Sequence, residues 1–187
     1  MPPATTLLDY AILGHLHRKP LSGYALRKLF ATTPMAHYSD SPGSIYPALA
    51  RLRRHRFVSA TVQKKHTLRP RQVFRLTAAG RAALRAWVSA PVTRAEVVSG
   101  RGSVMLRFVF AEQVLGAAAA VQFLESFEEV LEAYVPELRR FYQDAGPAMP
   151  LAGRLALESG VEAHATQLRW VRKAMRELRR HHAEEAV

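Results

Sequence analysis

Apolar residues recur along this chain in distinct rhythms, and each rhythm predicts a different element. At the amino-terminal end they step by three and four. Leu8, Ile12 and Leu16 form the buried stripe of a helix that Thr6-Leu7-Leu8-Asp9 opens as a capping box, that runs to about Arg18, and that Pro20 stops. Ser22 caps a second helix, with Tyr24, Leu26, Leu29 and Phe30 supplying apolar surface and Pro34 closing it. After the turn-forming loop MAHYSDS, the segment SPGSIYPALARLRRHRF places Ile45, Leu49, Leu52 and Phe57 on one face of a third helix. The rhythm then shortens to two. Val58, Ala60 and Val62 alternate with Ser59, Thr61 and Gln63, the mark of a half-buried strand, and Val73-Phe74-Arg75-Leu76 makes a second one. Thr77 caps a fourth helix that carries Leu84, Trp87 and Val88 and ends at Pro91. Three helices, a two-stranded ribbon and a fourth helix make a winged helix-turn-helix.

The second half reads differently. Residues 92–103 form a linker with Gly100 and Gly102, and Val104 to Phe110 is apolar on every side, which leaves strand and helix equally open. Two long seams follow. Ala117, Ala120, Leu124, Phe127, Leu131, Tyr134, Leu138 and Phe141 step by three and four. Past a loop with Gly146, Pro147, Pro150 and Gly153, so do Leu157, Val161, His164, Leu168, Val171, Met175 and Leu178. Each predicts a helix of about 40 Å at a rise of about 1.5 Å per residue, with Pro136 expected to kink the first. Two such helices joined by a short loop make an antiparallel hairpin, and one hairpin leaves apolar surface uncovered. A homodimer would close it through Leu124, Phe127, Leu131, Tyr134, Leu138, Val161, Leu168, Val171, Met175 and Leu178. A monomer whose hairpin folds onto its own winged helix is the alternative. The expected fold is mainly α with a small β-hairpin wing, in two domains at 1–91 and 92–187.

Charge divides the chain at the same place. The net charge is +12, yet residues 1–90 hold 15 Lys/Arg against 2 Asp/Glu, while residues 91–187 hold 12 against 13. A surplus confined to one half fits a polyanion-binding domain attached to a neutral one. An anionic membrane would also attract it, but no basic amphipathic helix with a bulky apolar face stands alone here. Nucleic acid is the better partner. The outer face of the third helix agrees: it carries Ser44, Tyr46, Pro47, Arg51 and Arg54, with Arg53 and Arg56 close by and no acidic residue. Such a face suits a DNA major groove, although an ordinary basic surface helix would carry the same pattern. Arg51 is the leading candidate for a base contact, because its planar fork matches guanine O6 and N7. Ser41-Pro42 reads as one start for this helix, and the interior position of Pro47 favours a later one at Ser44. Between the two strands, Lys64, Lys65, Arg69 and Arg71 form a basic wing suited to phosphates or to the adjacent minor groove.

Other chemistry is sparse. The chain has no Cys, so it has no disulfide, thiolate metal site or Cys nucleophile, which fits a reducing compartment. It shows no signal-peptide pattern, and its longest gap-free apolar run, near Val114 to Val121, is too short to span a bilayer; a soluble, cytoplasmic protein is expected. No nucleophile elbow, phosphate-binding loop or metal-ligand spacing is present, so neither enzymatic activity nor a cofactor is expected. His164 is read as hydrogen-bonded at a helix interface, His181-His182 as solvated, and Glu125, Glu128, Glu129 and Glu132 as the outer side of a seam helix.

The segments LSGYALRKLF, GSIYPALARL, RPRQVFRLT and AALRAW resemble the PadR family of transcriptional regulators, densely over residues 7–91. Two departures stand out: Arg53-Arg54-His55-Arg56 where the family usually has an acidic residue and a Gly, and Leu68 where a Gly commonly precedes Arg-Pro-Arg. The resemblance implies a homodimeric, sequence-specific repressor that binds double-stranded DNA at a roughly palindromic operator. A non-specific nucleoid-architectural protein is the competing reading. LRFVF, the chain length and Trp170 are similar to the longer subfamily, whose carboxy-terminal helical domain mediates dimerisation. That similarity implies a buried helix at Val104 to Phe110. The family's recurrent small aromatic or lipophilic effectors imply a pocket, for which Trp87, Phe108, Phe123 and Trp170 are the candidates.

Overall fold

A computed structural model of the chain describes residues 5–38, 43–63, 71–99 and 101–185. They fall into two compact units, Met1–Val88 and Ser89–Val187.

In the first unit, helix α1 (Leu7–Arg18) starts at a reciprocal cap. The Thr6 hydroxyl accepts the Asp9 N–H at 3.2 Å, and the Thr6 N–H donates to the Asp9 carboxylate at 3.0 Å. A two-residue strand β1 (Leu21–Ser22) leads into α2 (Gly23–Thr32), where the Ser22 hydroxyl accepts the Ala25 N–H at 3.1 Å. A 3-10 turn (Pro34–Tyr38), α3 (Ile45–Arg54), β2 (Val58–Gln63), β3 (Arg71–Leu76) and α4 (Ala78–Ser89) follow. The strands form one antiparallel sheet in the order β1-β3-β2, with Phe74 opposite both Leu21 and Ala60. Ile12, Leu26, Ile45, Leu49, Leu52, Phe74 and Leu84 are buried between helices and sheet. Tyr10 and Trp87 stack face to face with centroids 4.2 Å apart. Helix α4 lies hard against the end of α3. The Thr77 hydroxyl accepts the Gly80 N–H at 3.0 Å, and a Cβ at Gly80 would stand 2.1 Å from the Phe57 carbonyl oxygen. Only glycine allows that approach.

In the second unit, the expected linker at 92–103 contains a helix instead. Thr93 and Glu96 form a second capping box: the Thr93 N–H donates to Glu96 at 3.0 Å and the Glu96 N–H to the Thr93 hydroxyl at 3.3 Å. This opens α5 (Arg94–Ser99). Val104 to Phe110 lies within α6 (Arg101–Leu115), which packs against both α5 and α7 and buries Val104, Leu106 and Phe110 while Val109 stays exposed. Gly116, at φ +95°, breaks the chain direction before α7 (Ala117–Ala145). Helix α7 continues through Pro136; a 3-10 turn (Gly146–Ala148) joins it to α8 (Leu151–Glu185). At 29 and 35 residues these helices run about 43 and 52 Å. Ion pairs lace their outer edge: Arg172 with Glu128 at 2.7 Å and with Glu132, and Arg179 with Glu125 at 2.7 Å. Being exposed, these contribute little each.

The seam side chains Leu124, Phe127, Leu131, Val171 and Met175 are buried together with Val92, Val97, Val104 and Phe123, and Tyr134, Leu168 and Leu178 pack at the edge of that cluster. Leu138 and Val161 are half-buried. The inner members of the set expected at a dimer interface are thus covered within one chain. His164 is buried at the same place; its Nδ1 lies 2.7 Å from the Gly160 carbonyl oxygen and its Nε2 3.4 Å from that of Val97.

A charged side chain is buried in this unit as well. Arg107 is 2% exposed, donates to Glu96 at 2.9 Å and lies 4.9 Å over the Phe123 ring. Burial acts to raise the Glu96 pKa, but the Thr93 backbone hydrogen bond and the Arg107 charge outweigh it and hold the carboxyl below the usual carboxylate range. A depressed pKa contributes stability above the unfolded value and loses it as pH falls through the folded one. The melting temperature of the helical unit should therefore drop in acid, and Glu96→Gln should flatten that dependence, with the two melting curves converging at low pH.

Candidate nucleic-acid interface

Helix α3 opens after Ser44, whose side chain makes no capping hydrogen bond. Pro47 is then the third residue of the helix, in the turn whose N–H groups lack intrahelical partners, so its missing donor costs nothing there. The alternative start at Ser41-Pro42 lies outside the described residues. Ile45, Ala48, Leu49 and Leu52 are buried at 1% exposure or less. On the opposite face Tyr46, Pro47, Ala50, Arg53 and Arg54 are exposed, spaced three and four apart along one ridge. Three arginines in the last turn also suit the negative end of the helix dipole.

Arg51 does not join that ridge. Its Nε donates to Asp9 Oδ2 at 2.9 Å and its Nη2 to Asp9 Oδ1 at 2.6 Å, with the Thr6 hydroxyl 3.4 Å away. Asp9 is 1% exposed and Arg51 26%. The hydrogen bonds from Arg51 to Asp9 raise the guanidinium pKa against the opposing effect of burial. The fork expected to meet a guanine is thus occupied by the capping carboxylate of α1. In this position Arg51 fixes α3 to α1.

Beside the start of α3 lies a concavity of about 410 Å³ lined by Ser22, Gly23, Tyr24, Tyr46, Arg71, Gln72 and Phe74. Three elements meet there: the amino-terminus of α2, the first turn of α3 and the start of β3. Tyr24 and Tyr46 are 59% and 51% exposed. A Cβ at Gly23 would stand 2.8 Å from the Tyr46 ring, so the glycine lets that ring lie against α2. Sequence reading counted Tyr24 as apolar surface of α2 and passed over Gln72. The signal for Tyr24 was its place two residues after the Ser22 cap, on the first turn of a helix whose N–H groups and positive dipole end favour an anion. Two phenol hydroxyls, a guanidinium and that helix end together suit phosphate oxygens. Arg71 opens β3 opposite Gln63. Lys64, Lys65 and Arg69 of the wing lie outside the described residues.

The aromatic set divides between the units. Trp87 is the partner of Tyr10 in the first. In the second, Phe108 stacks on Phe123 at 6.3 Å and meets the Trp170 ring edge-on at 5.7 Å. A cavity of about 340 Å³ lies beside them, lined by Phe108, Trp170, Lys173, Ala174, Glu177, Leu178 and His181. Among the described residues no group of three or more His, Asp or Glu could hold a metal ion, and no helix is long and apolar enough to cross a membrane.

Residues 12–86 match the family model described as the transcriptional regulator PadR-like family. No curated protein matches the chain. Among solved structures, the chain is similar to Bacillus subtilis PadR in complex with operator DNA, at 22% identity over 91% of this chain and 98% of that one, with a TM-score of 0.42. It is also similar to the PadR-like transcriptional regulator BC1756 from Bacillus cereus, at 23% identity over 92% and 98%, with a TM-score of 0.39. Bacillus subtilis PadR in complex with p-coumaric acid aligns at 21% identity over 92% and 95%, with a TM-score of 0.38. The family match spans the winged unit from within α1 to within α4 and includes the whole arginine ridge.

Proposed function

We propose that the chain acts as a homodimeric, sequence-specific repressor whose grip on a roughly palindromic operator is relieved by a small aromatic or lipophilic effector. The observation that carries this is the ridge Tyr46, Pro47, Ala50, Arg53 and Arg54 on α3, exposed above a fully buried opposite face. In the major groove, Ser44 and Tyr46 enter first and Arg53 and Arg54 follow. The concavity at Tyr24 and Arg71 takes the flanking phosphates, and the basic side chains of Lys64, Lys65 and Arg69 add to the same role. A titration of the duplex upstream of the chain's own gene against a scrambled duplex, in rising salt, tests this reading. Preference for the upstream duplex supports it, and equal binding of both marks an architectural protein instead.

The dimer rests on what the helical unit leaves uncovered. Phe141, Leu151 and Leu155 are 53%, 62% and 52% exposed at the hairpin end of α7 and α8. Changing Leu151 and Leu155 together to Ser is expected to leave melting nearly unchanged and shift sedimentation from dimer to monomer. An unchanged dimer mass would place the interface elsewhere.

The effector is assigned to the cavity at Phe108 and Trp170, which joins an aromatic wall to Lys173 and His181. An effector can release DNA only through unequal affinity for the bound and free states, and operator DNA must then weaken its binding by the same factor.

A further inference from the structure

Among the described residues, Arg56 is the one non-glycine residue with a positive φ, at +59°, and it stands where the chain leaves α3. The backbone there closes as a Schellman motif: the Phe57 N–H donates to the Leu52 carbonyl at 2.9 Å and the Arg56 N–H to that of Arg53 at 2.9 Å. The residue between those bonds must be left-handed, a conformation that glycine adopts freely and an L side chain resists. Outside contacts hold it there. The Thr77 hydroxyl lies 2.7 Å from the Arg56 carbonyl oxygen, the Thr77 N–H donates to the Phe57 carbonyl at 3.0 Å, and Gly80 packs directly on that carbonyl. The backbone thus demands a glycine-like residue, and the chain supplies an arginine. That side chain is exposed, and among the described residues no carboxylate pairs with it. It extends the run of Arg53 and Arg54 past the end of the helix. Strain that persists because its surroundings over-determine it points to a use for the side chain.

We propose that Arg56 is a DNA-phosphate contact, held in a left-handed conformation that costs the fold stability and places its guanidinium beyond the end of α3. The proposal rests on the reading that α3 docks on DNA. A phosphate contact carries no sequence information, so the probe is a short mixed-sequence duplex, and the full chain is used throughout.

Three proteins are compared for melting temperature and for the salt dependence of duplex affinity: wild type, Arg56→Gly and Arg56→Lys. Arg56→Gly should melt a few degrees higher in the amino-terminal unit. It should nonetheless bind more weakly, with a slope of log affinity against log salt shallower by about one for each phosphate that Arg56 neutralises. Arg56→Lys should melt like wild type and keep the slope. If Arg56→Gly binds with wild-type affinity and slope, the proposal is overturned, and the arginine is merely tolerated at a helix end that favours cations. A lower melting temperature for Arg56→Gly would overturn it too, since the side chain would then be stabilising the fold. If wild type itself fails to bind duplex, the proposed function falls together with this inference; a failure confined to Arg56→Gly leaves that function standing.

Discussion

Leu131→Asp is expected to unfold the helical unit. Leu131 has no solvent exposure and belongs to the cluster shared by α5, α6, α7 and α8. Removing its side chain alone would cost about 2–5 kcal/mol, and an unpaired carboxylate in that cluster adds several more. The sum is comparable to the whole stability of a typical domain, about 5–15 kcal/mol. The measurement is the cooperative loss of helical circular dichroism on heating, which should be absent or shifted to far lower temperature. Leu131→Ala should still fold, with a loss near the lower end of the cavity range. Any dimer would vanish with Leu131→Asp because its scaffold is gone, so this variant reports on the core and the paired Leu151 and Leu155 variant reports on association.

Arg51→Ala is expected to destabilise the winged unit by about 3 kcal/mol, because it strands the carboxylate of Asp9 at 1% exposure without its cation. Asp9→Asn should cost a similar amount and should also weaken the cap on α1. Replacing both partners by apolar residues, as in Asp9→Leu with Arg51→Met, should recover much of the loss, short of about 1 kcal/mol for the missing cap. Thermal melts of the four proteins decide the matter. The consequence for DNA follows from geometry. With α3 no longer held to α1, Arg51→Ala should weaken all duplexes alike. A reader of bases would instead relax preference at one symmetric pair of positions.

That contrast shows where sequence reading stops. Periodicity identified which face of α3 is buried, since Ile45, Leu49 and Leu52 are interior by spacing alone. It could not say where a long side chain turns, and the partner of Arg51 lies 42 residues upstream. Alternation found β2, and Val73 to Leu76 marked the second half of β3, whereas the two residues of β1 carry no pattern. Helix α5 was hidden by the glycines around it, although Thr93-Arg94-Ala95-Glu96 was a legible capping box. The two long seams predicted their hairpin but not which apolar residues the hairpin itself would consume. That depends on α5 and α6 packing beside it. The concavity at Tyr24 joins segments of three different elements, which no local pattern encodes.

The central claim is that the exposed ridge of α3 reads DNA sequence while the wing and the Tyr24 concavity hold phosphates. Selection from a randomised duplex library by the full chain, run beside the paired variant Arg53→Ala with Arg54→Ala, tests it most directly. Wild type should select a two-fold symmetric consensus, with half-sites about one helical turn or a multiple of it apart. The variant should lose preference at symmetric positions within each half-site while still binding duplex. An identical consensus from both proteins, or no consensus from wild type, would contradict the account.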